Sequence, residues 1–295
     1  MEQQKIFLEL SPPPRRISQT VLEKNLAKIS DALSKIPNIS HINIPEVIEE
    51  NRSGAPLYRN MDSREFGKIL FSKFQIPIVV NKVTPHLASI EELSNWVSES
   101  INTYGISSFV FVGGSHGHKD YPGPTVIEAN KFARSLDGVS FGNISIPGRA
   151  SEAERLHSKT KYGCKFFTTQ ILFESLGTKK LLAEYDAICK SENLLPAEFY
   201  LGFAPLANDF DLDFCKWLGV DVPKEVDFKL RESRDEIGNA SISIASEILS
   251  DILDFAKTNR ISVPISINVE PLSLVNIDLG IKMANTLQSK LEQSN

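Results

Sequence analysis

Residues 151–173 read SEAERLHSKTKYGCKFFTTQILF and contain one complete unit of the fold. Ser151 and Glu154 have the spacing of a capping box, which predicts that a helix begins here. Gly163 stands where that helix should end in a left-handed residue. The apolar and β-branched run that follows predicts a buried strand carrying one polar amide, Gln170. The segment therefore predicts a helix that turns directly into a strand.

The same alternation of strand and helix runs along the whole chain. The predicted strands are apolar on both faces, which is typical of a parallel sheet covered by helices. Eight strand–helix units in 295 residues favour an α/β fold of the (β/α)8 TIM barrel class, as a single domain over residues 1–295. A doubly wound sheet is the second interpretation, but it usually has fewer strands, and its GxGxxG turn is absent from the sequence. The predicted strands span residues 5–10, 39–44, 76–83, 106–112, 139–146, 164–173, 198–204 and 262–269, and the predicted helices span residues 18–35, 62–74, 89–104, 125–136, 151–162, 176–191, 209–218, 237–258 and 274–291.

Composition limits the class of partner. The net charge of -5 is unfavourable for gathering phosphate backbones, so nucleic acid is not expected as a partner. Three cysteines without a CxxC pair suggest buried thiols in a reducing compartment, and no metal site is expected. No apolar run approaches the ~20 residues that cross a bilayer. We therefore expect a cytoplasmic protein with no membrane contact, and homo-oligomer formation is left open.

Glu9 is the most informative polar residue, because a carboxylate inside a short apolar strand costs free energy to bury. Desolvation should raise its pKa, which suits a general acid. The alternative is a structural salt bridge between Glu9 and Lys82 across the barrel mouth. In (β/α)8 barrels the active site lies at the carboxyl ends of the strands, where Glu9 is predicted to lie.

Other polar residues follow the predicted strands in the same way. Gln170 could read a planar heterocycle through paired hydrogen bonds, or equally satisfy neighbouring barrel side chains. The segment from Gly113 and Gly114 through Ser115 to His116 and His118 allows close approach of backbone to a ligand, although it lacks the GK[ST] of a phosphate loop. Two further cations could meet phosphate or carboxylate groups, Arg149 and Lys159, and Lys159 could equally be a solvated helix charge.

Four motifs, in order along nearly the whole chain, resemble the methylenetetrahydrofolate reductase family. LELSPP at residues 8–13 is similar to the family's first strand, FVGG at residues 111–114 occupies the place of its Arg-Gly-Asp, TTQILF at residues 168–173 is similar to its glutamine-bearing strand, and GFAPL at residues 202–206 is similar to its seventh strand. The resemblance implies a (β/α)8 barrel that reduces 5,10-methylenetetrahydrofolate, or a related methylene-tetrahydropterin, to the 5-methyl form.

The same resemblance implies roles for individual residues. Glu9 would be the general acid, and NAD(P)H would be the hydride donor. The substrate-binding residues would be Gln170, Ser115 and Lys82, and the cofactor-binding residues would be Gly113, Gly114, His116, Arg149 and Lys159. Gly113, Gly114 and Ser115 replace the family's Arg-Gly-Asp, and most departures fall on the flavin side. The chain is similar in this to a short, divergent branch in which some members pass hydride directly from NADH, so FAD is left open.

Two other classes of function compete with the reductase. One is a non-catalytic pterin-binding or regulatory barrel, which the altered end of the fourth strand favours. The other is a methyltransferase component that presents methyl-tetrahydrofolate to a corrinoid partner. This second class would usually need a pterin site rich in Asp or Asn, for which Asn81 and Asn268 are the candidates. Glu9 and Gln170 favour the reductase, because a mere binder has little need for a buried carboxylic acid.

Overall fold

In a computed structural model of the protein, residues 5–50, 56–114 and 121–294 are described. Eight parallel strands close into a barrel in which each strand pairs with its neighbours in the chain and the first pairs with the last. This confirms the predicted (β/α)8 barrel. The strands are β1 (Ile6–Glu9), β2 (Ile39–Ile44), β3 (Ile78–Val83), β4 (Ser108–Val112), β5 (Ser140–Ser145), β6 (Phe166–Ile171), β7 (Glu198–Phe203) and β8 (Ile265–Val269).

Helices cover the outside of the barrel and begin close to the predicted positions. The sequence pattern predicts a charged connection between residues 218 and 237, but this segment contains a further helix, Lys224–Glu232. The apolar pattern does not reveal it, because Leu230 is the one residue that this helix buries. The helices are α1 (Gln19–Leu33), α2 (Ser63–Phe74), α3 (Ile90–Tyr104), α4 (Val126–Ala133), α5 (Glu152–Lys161), α6 (Leu176–Ser191), α7 (Asp209–Trp217), α8 (Lys224–Glu232), α9 (Ile237–Thr258) and α10 (Ile277–Ser294).

The start of α5 differs from the sequence prediction. Ser151 adopts a left-handed conformation with φ 54°, and its side chain makes no capping hydrogen bond, so the predicted capping box is wrong. The carboxylate of Glu152 turns back instead and accepts a hydrogen bond of 3.0 Å from the backbone N–H of Ile146. Gly163 ends the helix region with φ 97°, as predicted.

Side chains along each strand point alternately into the barrel and out towards the helices. The inward row forms an aromatic plug, which we define as Phe7, Phe166 and Tyr200, packed with Val79 and Val110. The rings of Phe7 and Tyr200 stack with their centroids 3.7 Å apart. Because this plug fills the middle of the barrel, the polar residues above it form a separate layer at the carboxyl ends of the strands.

Two other expectations concern thiols and helix length. Cys164, Cys189 and Cys215 are buried and free, as the cysteine spacing predicts. Among the helices that the structure describes, none is both long enough and apolar enough to cross a membrane.

Candidate functional site

The barrel mouth above the aromatic plug is polar. Asn43 on β2, Asn81 on β3 and Asn268 on β8 are buried there. Leu8 of β1 pairs with Val269 of β8. The residues that follow them, Glu9 and Glu270, therefore lie on neighbouring strands at the same end of the barrel.

Amide side chains hold both carboxylates. Asn43 Nδ2 donates to Glu9 Oε2 at 2.8 Å, and Asn268 Nδ2 donates to Glu270 Oε1 at 2.9 Å. Asn268 also acts on Glu9, because it opposes the rise of the Glu9 pKa, so its side chain lies near both acids. The Oδ1 atoms of Asn43, Asn81 and Asn268 are buried, and within the described part of the chain no donor reaches them. These three acceptors without donors lie on one side of the mouth, because β8, β1, β2 and β3 are consecutive strands of the closed barrel.

Both carboxyl groups are held towards the neutral form. Burial raises the pKa of Glu9 to about 7, although the hydrogen bonds from Asn268 and Asn43 oppose this shift. Burial also raises the pKa of Glu270 well above its ordinary range, and the charge of Glu9 adds to that shift. A carboxyl group that is partly protonated near neutral pH can donate a proton to a ligand, as Glu9 was predicted to do.

This raised pKa predicts a pH-dependent stability. The pKa of Glu9 is about 7 in the folded state and near 4.5 when unfolded, so its contribution to stability is complete below pH 4.5 and is lost as the pH rises to 7. The expected loss is about 3 kcal/mol. Urea unfolding at pH 5 and pH 8 should show a smaller loss for Glu9→Gln than for the wild type. The exposed carboxylate of Glu23 on α1 provides a control, since Glu23→Gln should keep the wild-type loss. An identical loss in Glu9→Gln and in the wild type would contradict the raised pKa.

Lys82 does not pair with Glu9, so the salt-bridge alternative is wrong. Lys82 Nζ lies 2.6 Å from Glu46 Oε1 and within 6 Å of the rings of Tyr58 and Trp96. The reason is the alternation of the strand. Asn81 faces the barrel interior beside Val110, so Lys82 faces outward beside Phe111. Lys82 does line a separate cavity of about 230 Å³, which neither Glu9 nor Glu270 lines. Its contact with a substrate stays a prediction.

Gln170 and Arg149 share a cavity of about 280 Å³ at the ends of β5 and β6. Glu9 lines a different cavity of about 310 Å³, between residues 11–14, α1 and the start of α10. A Cβ at Gly202 of β7 would meet Glu270 Oε1 at 2.6 Å and the Gln170 carbonyl oxygen at 3.1 Å, so Gly202 lies between Glu270 and the backbone of Gln170. The structure therefore places Glu9 and Gln170 in two different cavities, and the contact of Gln170 with a substrate stays a prediction.

The residues assigned to a cofactor are engaged within the protein. Arg149 Nε donates to Glu152 Oε2 at 2.7 Å, and Lys159 Nζ donates to the Ile144 carbonyl at 2.9 Å. Burial lowers the pKa of Lys159. At Gly114 a Cβ would lie 2.5 Å from the ring of Tyr121, so packing inside the protein accounts for that glycine. Arg149 and Lys159 therefore have partners inside the protein, and their contact with a cofactor stays a prediction.

Three other predicted residues of this loop cannot be placed. Ser115, His116 and His118 lie outside the described residues. Gly113 directly follows the last residue of β4, and a Cβ at this position would make an ordinary 3.7 Å contact with Val126. Among residues 5–50, 56–114 and 121–294 no group of three His, Cys, Asp or Glu side chains could hold a metal ion.

The sequence analysis does not place Asn43, Asn268 and Glu270 beside Glu9, although all three lie at the ends of strands. Their signal is the period of two. Side chains two residues apart on a strand face the same side, so a residue between two outward-facing residues faces inward. Asn43, for example, lies between Ile42 and Ile44, which both belong to the outer core. Sorting strand-end residues by this alternation would have placed them beside Glu9 and removed Lys82.

The protein is a closed (β/α)8 barrel with a cluster of buried polar side chains at the carboxyl ends of its strands. No protein-family model matches the chain, and no curated protein matches it in sequence. Among solved structures, the chain is similar to an uncharacterized protein from Clostridium thermocellum that binds two copies of 5-methyl-5,6,7,8-tetrahydrofolic acid. The TM-score is 0.80 with 21% identity, over 98% of this chain and 96% of that chain. At this identity the similarity shows the fold, and membership of the reductase family stays a prediction.

Two dihydropteroate synthases resemble the chain more weakly. The one from Vibrio fischeri has a TM-score of 0.48 with 13% identity, over 100% of this chain and 95% of that chain. The one from Xanthomonas albilineans has a TM-score of 0.45 with 10% identity, over 98% of this chain and 93% of that chain. These scores are too low to support any inference about function.

Proposed function

We propose that the protein binds a reduced folate at the barrel mouth and reduces its 5,10-methylene group to the 5-methyl form, with hydride passed directly from a reduced nicotinamide. The observation that carries this proposal is Glu9, a half-buried carboxyl group with a pKa of about 7 at the end of β1. Opening the five-membered ring of the substrate requires a proton on the departing nitrogen, and Glu9 lies where a ligand in the mouth can take one.

The three unpaired asparagine oxygens at the mouth suit a tetrahydropterin. The pyrimidine edge of a pterin presents N–H donors from its amino group and ring nitrogen. The Oδ1 atoms of Asn43, Asn81 and Asn268 are acceptors without donors in the described part of the chain, and buried acceptors normally find a partner. The likeness of fold to a solved protein that binds 5-methyl-tetrahydrofolate supports the same class of ligand.

In this reaction, the protein's own residues would deliver the proton to the substrate. Glu9, oriented by Asn43 and Asn268, gives its proton to N10 as the bond between N10 and the methylene carbon breaks, which leaves an iminium ion at N5. A bound reduced nicotinamide would supply the hydride for that carbon. The balance is one proton and one hydride added to the substrate, and Glu9 regains its proton from solvent.

A second candidate, transfer of the methyl group of methyl-tetrahydrofolate to a corrinoid partner, is favoured by one observation. Three buried asparagines line one side of the mouth, since Asn43 joins the two that the sequence prediction considered. An amide-rich site can bind the pterin without any hydride donor. The two functions differ in whether NADH is consumed.

We expect the purified protein to be colourless above 400 nm and to oxidise NADH or NADPH only when methylenetetrahydrofolate is present. The reason is that Arg149 and Lys159, the two cations assigned to the cofactor, already have partners inside the protein. Absorbance at 340 nm and chromatography of the folate product measure both. Visible flavin bands would overturn the direct route. Tight folate binding without NADH oxidation would favour the methyltransferase or the non-catalytic binder, and absence of folate binding would overturn the whole proposal.

A further inference from the structure

Helix α7 has two apolar faces. One face packs on the barrel through Leu212 and Cys215, which are buried. The other face carries Phe210, Phe214 and Trp217, whose spacing of four and three residues places them in one stripe along the helix. All three rings are exposed, and Trp217 is 72% exposed. The packing of the barrel therefore does not account for this second face.

Two neighbouring residues widen the stripe. Lys216 of α7 pairs with Asp227 of α8 at 2.6 Å, which holds the exposed ring of Phe228 close to the end of α7. The exposed side chain of Leu218 follows the last residue of the helix. The exposed apolar area is on the order of 500 Å², near the upper limit for the largest patch of a typical monomer. We call this surface the α7 patch and define it as Phe210, Phe214, Trp217, Leu218 and Phe228.

The α7 patch lies at the rim of the barrel mouth. Near the start of α7, Asn276 Nδ2 donates to Asp211 Oδ2 at 2.8 Å, and Leu274, two residues before Asn276, lines the cavity of about 310 Å³. Gly219, two residues after the end of α7, lines the cavity of about 280 Å³. A molecule bound to the α7 patch would therefore lie beside both cavities.

The charges along α7 change sign from one end to the other. Asp209 and Asp213 stand in the first half of the helix, and Lys216 stands near its end. Cations also border the patch on the side of α8, where Arg231 pairs with Asp213 and, at 3.1 Å, with Asp227. A second α7 that lies antiparallel to the first would place the acidic half of each helix against the lysine of the other.

We propose that two copies of the chain pair through the α7 patch, with their α7 helices antiparallel across a two-fold axis. A two-fold interface uses the same patch on both copies, so Asp209 of each copy faces the partner's Lys216. Two patches bury about 1,000 Å² in total, the lower bound for a specific interface, so we expect a dimer that forms at micromolar concentration. This inference is independent of the proposed function.

Sedimentation velocity tests the pairing. The wild type should be a dimer at about 50 µM and a monomer at about 0.5 µM. Phe214→Ser combined with Trp217→Ser should stay monomeric at both concentrations, and circular dichroism should show an unchanged fold, because both rings are exposed. Leu195→Ser is the matched control. Leu195 is 87% exposed but lies between α6 and β7, at the opposite end of the barrel, so this variant should dimerise like the wild type.

Tryptophan fluorescence locates the interface. The chain has two tryptophans, and Trp96 is buried, so quenching by acrylamide reports mainly on Trp217. Raising the concentration from about 0.5 µM to about 50 µM should lower the quenching about twofold, because the interface covers the indole ring. At the lower concentration the chain is a monomer, so the exposed rings of α7 contribute little to the free energy of unfolding measured there.

A charge exchange tests the antiparallel arrangement. Asp209→Lys and Lys216→Asp each place like charges in contact at two symmetric points. Each variant should therefore raise the dissociation constant of the dimer about tenfold. The double variant restores opposite charges and should return to within about threefold of the wild type.

The remaining outcomes would count against the proposal. A wild type that stays monomeric at the higher concentration would overturn it, and its flotation with phosphatidylcholine vesicles would then assign the α7 patch to a membrane surface. A dimer that persists in the Phe214→Ser and Trp217→Ser double variant, or that Leu195→Ser also disrupts, would overturn the assignment to this patch. Failure of the charge exchange to restore the dimer would overturn the antiparallel arrangement.

Discussion

Glu9→Gln is expected to lower turnover by at least ~100-fold, the usual contribution of a general acid. Glutamine has the same shape, and its amide oxygen can still accept the 2.8 Å hydrogen bond from Asn43. What it lacks is a transferable proton. Steady-state kinetics at pH 6 and pH 8 with methylenetetrahydrofolate and NADH would measure the loss, together with the KM for folate. Because the acceptor atoms of Asn81 and Asn268 remain, we expect KM to change much less than kcat.

Glu198→Gln is the matched control for Glu9→Gln. Glu198 is also an interior carboxylate of the barrel, but it lies at the opposite end, where it pairs with Lys5 at 3.0 Å and accepts a hydrogen bond from Ser266 at 2.7 Å. Its replacement should leave kcat within about twofold, since it cannot reach the mouth beyond the aromatic plug. Wild-type turnover in Glu9→Gln would remove Glu9 from the mechanism. An equal loss in both variants would indicate a general effect on the barrel.

Phe7→Ala is expected to destabilise the protein by about 3–5 kcal/mol, the usual cost of deleting a large buried ring. Phe7 is 2% exposed, stacks on Tyr200 at 3.7 Å and meets the edge of Phe166 at 5.6 Å. Removing the ring leaves a cavity directly below Glu9 that closed strands cannot collapse to fill. The free energy of unfolding in urea measures the loss, and folate affinity should fall with it.

Phe210→Ala is the control for Phe7→Ala, because Phe210 on α7 is 83% exposed. Its replacement should change the free energy of unfolding by no more than about 0.5 kcal/mol. A loss below 1 kcal/mol in Phe7→Ala would show that the barrel does not depend on the aromatic plug.

Much of the fold follows from local pattern. The eight strands were predictable because each is a short apolar run, and a segment with helical spacing of its apolar residues follows it in the sequence. The capping of α5 was not predictable from the spacing of Ser151 and Glu154. That spacing does not reveal the left-handed backbone of Ser151 or the hydrogen bond that the Ile146 N–H donates to Glu152. Helix α8 was missed because its contact with the protein is narrow and its surface is charged.

The candidate site divides in the same way. The amino-acid order was enough to mark Glu9 as an unusual carboxylate, because a single acid among Phe7, Leu8 and Leu10 is costly wherever the strand is buried. It could not supply the partner. Closure of the barrel places β1 against β8, and so brings Glu270 from the far end of the chain next to Glu9, while strand alternation turns Lys82 away. Local pattern depends on neighbours in the chain, whereas the charge around an acid depends on contacts that only a closed sheet creates.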